Sequence, residues 1–107
     1  MEVGNTIRVK SLKTILENSN GFRFYSDLNY LTNHWKELDE YETIIDEGPD
    51  FVAGMIKTCG MKGVVIRIPR HDRAVVHFDD IKYLFTYLRK WVIEDNLDSN
   101  GNYLLFD

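Results

Sequence analysis

The chain has 107 residues, with 13 Lys+Arg against 17 Asp+Glu and a formal charge of −4. Hydrophobic residues make up 44% and aromatics 13%, enough to fold, and the length bounds the expectation to a single domain over 1–107. No apolar run reaches the roughly 18–20 residues of a membrane span, the opening Met1-Glu2-Val3-Gly4-Asn5 lacks signal-peptide character, and the lone Cys59 excludes an internal disulfide and a multi-cysteine zinc site; the expected protein is cytoplasmic, with no membrane partner and no cofactor.

Ile7 and Val9 alternate with Thr6, Arg8 and Lys10, the period of a half-buried strand. Ser11 is placed to cap a helix carrying Leu12, Ile15 and Leu16 on one face, ended near Asn18–Gly21. Phe22-Arg23-Phe24-Tyr25 reads as a short strand. Ser26 or Asp27 then caps a second helix with Leu28, Leu31, Trp35 and Leu38 in one stripe. Tyr41–Ile45 has strand composition with imperfect alternation. Gly48-Pro49-Asp50 predicts the start of a third helix, because proline suits the first turn and Asp50 complements the dipole. That helix carries Phe51, Val52, Met55 and Ile56 and stops at Gly60.

Three short strands follow, around Val64–Ile68, Ala74–Phe78 and Tyr83–Tyr87, as an antiparallel meander. Leu88–Glu94 fits either a helix or a strand. Asn100-Gly101 signals a turn, after which Tyr103–Phe106 pairs back. The expected fold class is α+β: a small twisted antiparallel sheet or partly closed β-barrel with one to three short helices. Its expected core is Ile7, Val9, Leu12, Leu31, Trp35, Phe51, Met55, Val64, Ile66, Val76, Phe78, Phe85 and Trp91.

Two charged regions carry the functional expectations. Glu37, Asp39, Glu40, Glu42, Asp46, Glu47 and Asp50 put seven carboxylates into 37–50 with no Lys or Arg. At spacings within a Debye length they act as one field, suited to a basic partner surface; the competing reading is a solvated helix end and loop. Lys57, Lys62, Arg67, Arg70 and Arg73 form the basic counterpart. Arg67, Arg70 and Arg73, with the aromatics Tyr83, Phe85 and Tyr87, describe an alternative nucleic-acid-binding surface in which bases stack on rings, unless that aromatic row is core.

The remaining chemistry is sparse. His71 and His77, near Asp72, Asp79 and Asp80, match no zinc-ligand spacing and read as surface residues. Cys59 follows an apolar segment and reads as a buried thiol. No phosphate-cradling loop, G-x-S-x-G or H-E-x-x-H occurs, so the chain is expected not to be an enzyme.

One combination carries a resemblance. The opening Val3-Gly4-Asn5-Thr6-Ile7-Arg8-Val9-Lys10 is followed mid-chain by Phe51, Met55, Cys59, Gly60, Lys62 and Val64 in the spacing F-x-x-x-M-x-x-x-C-G-x-K-x-V, then by a meander and Trp91. This resembles small phage and prophage accessory proteins with a Src-homology-3-type β-barrel, over roughly 3–12 and 48–94. The acidic 26–50 insertion is longer than the usual loop there, and the 95–107 tail has no counterpart. The resemblance implies a non-catalytic protein that binds and blocks a host bacterial defence protein. Its most concrete form is an anti-CRISPR inhibitor of a nuclease effector, with the acidic segment as the partner-binding surface.

Overall fold

The computed structural model describes residues 1–19, 28–94, 96–97 and 103–104. The expected strand at Phe22–Tyr25, the caps Ser26 and Asp27, and the Asn100-Gly101 turn lie outside the described residues. In chain order the elements are β1 (Thr6–Val9), α1 (Leu12–Glu17), α2 (Leu28–His34), β2 (Thr43–Asp46), β3 (Asp50–Val52), β4 (Lys62–Arg70), β5 (Arg73–His77), β6 (Phe85–Leu88), β7 (Val92–Glu94), β8 (Asn96–Leu97) and β9 (Tyr103–Leu104). Short 3₁₀ segments lie at Trp35–Glu37, Ala53–Thr58 and Arg89–Trp91. The architecture is α+β. The chain forms two compact units: residues 1–10 with 60–107, and residues 11–59. Among the described residues no helix is long and apolar enough to cross a membrane.

The first unit is built on an open five-stranded antiparallel sheet in the order β6-β5-β4-β1-β7. The meander β4-β5-β6 is there as expected, and β1 returns to pair with both β4 and β7. Ile7, Val9, Val65, Ala74, Val76, Phe85 and Tyr87 point to the buried side of the strands, joined by Phe78 and Trp91. The segment 88–94 resolves its two readings by being both: one 3₁₀ turn over Arg89–Trp91, then β7. Lys10 N–H donates to the Trp91 carbonyl at 2.9 Å, which ties that turn to the end of β1.

The parity of β4 corrects the sequence expectation. Val64 and Ile66 are not core; each is 42% exposed, while Gly63 and Val65 face inward. Three consecutive β-branched residues give no alternation to choose a face by, and a one-residue change of parity exchanges the faces. Packing chooses it. A Cβ at Gly63 would stand 2.6 Å from Val76 Cγ1 and 2.8 Å from Phe78 Cε1, so only glycine fits against these two buried side chains. The register then shifts between Val65 and Arg67, and again before Arg70, and the strand runs on through Pro69.

The second unit begins as the sequence suggests. Ser11 caps α1, its Oγ accepting from Thr14 N–H at 3.2 Å, and Ile15 and Leu16 are buried. Leu12 and Trp35, expected in the core, are only half-buried. The second helix also stops short: α2 ends at His34, and Trp35–Glu37 is a 3₁₀ turn that swings Trp35 off the Leu31 face.

The predicted helix start at Gly48-Pro49-Asp50 is overturned. Asp50–Val52 is strand β3, paired antiparallel with β2, and Gly48-Pro49 belongs to the connecting turn. Gly48 takes φ +104°, a left-handed conformation that glycine reaches without steric cost, so the Gly-Pro signal here marks a hairpin. The helix that follows is 3₁₀, over Ala53–Thr58, and it buries Met55 and Ile56. A bulge between Thr43 and Ile45 explains the imperfect alternation of β2, since it allows the consecutive Ile44 and Ile45 both to be buried.

Candidate functional site

The charges divide by unit. Residues 11–59 hold nine Asp or Glu and four Lys or Arg, a net of −5. Residues 1–10 with 60–107 hold eight Asp or Glu and nine Lys or Arg, a net of +1. The formal charge of −4 is therefore the property of the second unit.

Within that unit the seven predicted carboxylates fall into two sets. The strand register sets Asp46 directly opposite Asp50, and Glu47 lies in the turn between them, so three carboxylates share the hairpin tip. Asp46 and Asp50 are exposed. Like charges in a directly opposed cross-strand pair cost a few tenths of a kcal/mol, roughly, and up to about 1. Thr43 Oγ1 donates to Asp50 Oδ2 at 3.1 Å, which orients that carboxylate.

The other set serves the local structure more than the surface. Asp39 Oδ1 accepts from Tyr41 N–H at 2.9 Å, closing a turn. The carbonyls of Glu40 and Glu42 accept from Gly54 and Ala53 N–H, each at 2.8 Å, and so clip this segment to the start of the 3₁₀ helix. Glu40 and Glu42 are half-buried, and Glu40 Oε2 lies 4.0 Å from Lys57 Nζ. Glu37 is exposed on the preceding 3₁₀ turn. The 37–50 run is thus a solvated clip plus a concentrated acidic tip. Beside the clip, Trp35, Leu38, Ala53, Gly54 and Lys57 line an open depression of about 130 Å³, smaller than the several hundred Å³ of an ordinary small-molecule site.

No protein-family model, curated protein or solved structure matches the chain.

The arginines of the alternative surface are only partly brought together. Arg67 is exposed opposite Val75, and Arg70 is exposed opposite Arg73 at the end of the β4–β5 pair. Arg73 turns onto Asp72: its Nε lies 3.1 Å from Oδ1, and the side chain is 19% exposed. The guanidinium holds the Asp72 carboxyl below its ordinary range. Phe85 and Tyr87 are buried, with Phe85 edge-on to Tyr87, and Tyr83 is half-buried, so two of the three rings of the row are core and no continuous stacking platform is exposed. Sequence reasoning missed Arg8, which the β1–β4 register sets opposite Lys62. The period-2 pattern of β1 contained that signal, since Arg8 lies on the face away from Ile7 and Val9.

The remaining candidates resolve simply. His71 and His77 are exposed, and among the described residues no three His, Cys, Asp or Glu side chains gather as a metal site requires. Cys59 is half-buried rather than fully buried; its desolvation pushes the thiol up to about 12, so it stays protonated and a poor nucleophile at neutral pH.

Proposed function

We propose that this protein is a non-catalytic binding module that docks the acidic tip of its β2–β3 hairpin onto a basic surface of a partner protein. The observation that carries this is the register: Asp46 faces Asp50 with Glu47 between them, on a unit of net −5. A β-turn that concentrates like charge is held at a cost in stability, and a cationic partner offsets that cost on binding. The phage-accessory resemblance supplies the concrete version, an anti-CRISPR inhibitor in the bacterial cytoplasm that occupies a nuclease effector's nucleic-acid groove. A row of carboxylates competes there with phosphate, because both meet the same Lys and Arg side chains. Glu37, Asp39, Glu40 and Glu42 extend the field along the neighbouring chain.

The test is affinity purification from a bacterial lysate, with and without nuclease, comparing the native chain with the D46K/E47K/D50K variant. A protein partner captured by the native chain in both conditions, and lost from the variant, supports the reading. Exposed ion pairs contribute about 0.2–1 kcal/mol each, so three lost pairs weaken binding by roughly three- to 150-fold, and reversal adds repulsion. A partner captured equally by a folded variant refutes it.

A further inference from the structure

We infer that the outer face of the five-stranded sheet is a second interaction surface, one that takes the phosphate backbone of a duplex nucleic acid. The strand registers place Thr6 and Arg8 of β1, Lys62, Val64, Arg67 and Arg70 of β4, and Val75 and His77 of β5 on the side away from the buried residues. These three strands carry no Asp or Glu; the carboxylate of Asp79, just past β5, shares a depression with Thr6, Lys62, Val64 and His77 at one end of the row. Lys62, Arg67 and Arg70 are exposed, and all three come from one strand. At about 3.3 Å per residue they mark a line of positive charge roughly 25 Å long. Arg8 widens it at the Lys62 end. Val64 and Ile66, each 42% exposed, lie along the same strand between these cations.

The linear layout decides the chemistry of the occupant. A protein partner is anchored by a few side chains in desolvated pockets, whereas a nucleic-acid backbone requires only cations along a line. The burial of Phe85 and Tyr87 removes the rings on which unstacked bases would sit, so the face suits a duplex more than a single strand. The inference does not depend on the acidic hairpin having a partner.

The experiment is fluorescence anisotropy of a labelled 20-base-pair DNA duplex with the full chain at 50 and 200 mM salt. Three phosphate contacts predict a log–log salt slope near −2.7 and a loss of about 40-fold between those salts. Lys62→Glu, Arg67→Glu and Arg70→Glu each lower the slope by about one, and the triple variant, verified as folded by circular dichroism, loses binding. The D46K/E47K/D50K variant keeps or tightens it, which separates this surface from the hairpin. Absence of duplex binding at 50 mM salt overturns the inference. So does a folded triple variant that binds as well as the native chain, or displacement of the duplex by polyglutamate at equal charge, which would make the occupant an acidic polypeptide.

Discussion

Replacing Gly63 with alanine tests the packing that sets the parity of β4. The added Cβ would lie 2.6 Å from Val76 Cγ1 and 2.8 and 2.9 Å from two ring carbons of Phe78. Ordinary carbon contacts are about 3.5–4.0 Å, so the neighbours must retreat by nearly 1 Å. They have nowhere to go: Val76 and Phe78 are both fully buried. Overpacking of this kind costs about 1–3 kcal/mol. The reduced freedom of the unfolded chain returns about 0.4–1 kcal/mol. The net expectation is a loss of roughly 1–2 kcal/mol, seen as a fall in Tm of about 5–15 °C. Urea and thermal melts followed by circular dichroism measure it. Adding Val76→Ala to Gly63→Ala makes room, so the double variant should be more stable than the two single losses predict, with a coupling of about 0.5 kcal/mol or more. If Gly63→Ala melts at or above the native temperature, the close approach is not what places Val65 inward and Val64 outward.

Three further outcomes are expected. The Glu94 carboxyl is held below its ordinary value near 4.5, first by the N-terminal ammonium of Met1 at 2.5 Å and then by Arg89 at 3.3 Å. Its folded pKa is lower than its unfolded one, so its contribution is complete above the unfolded value and disappears as pH falls through the depressed one. Urea midpoints measured from pH 6 down to 3 should therefore fall less steeply in Glu94→Gln, and parallel curves would refute the linkage. Cys59, half-buried and with its thiol pushed up to about 12, should react more slowly with aromatic disulfide reagents in the native state at pH 8 than in urea; equal rates would refute the raised value. Asp46→Lys turns a like-charge cross-strand pair into an attractive one, so it should raise stability by about 0.2–1 kcal/mol in a urea melt while weakening partner capture. A variant less stable than the native chain would show that Asp46 supports the hairpin.

Local signals were enough wherever one residue type has one reason to be present. The Ser11 cap, the period of Thr6–Val9, and the alternation of Ala74, Val76 and Phe78 all led to the observed element and face. They failed where two physical readings share one pattern. Gly48-Pro49-Asp50 is an adequate helix start and an adequate hairpin turn, and Ile44 and Ile45 decided for the hairpin by both finding burial across a bulge. Charge could be counted from the sequence, but not its grouping. Glu40 and Glu42 belong to a backbone clip, whereas Asp46, Glu47 and Asp50 share a tip only because a register joins them.

The sequence by itself determined the α+β class, most strand positions and the existence of an acidic block near residue 40, because these depend on periodicity and composition within a few neighbours. Only the tertiary structure decided which face of β4 is buried and that Arg8 lies opposite Lys62. It also decided how the opening charge of −4 is divided, since a unit made from 1–10 and 60–107 is invisible to any local window. Those features depend on long-range pairing, and pairing is chosen by what fits in the interior, at distances of ångströms and across tens of residues of chain.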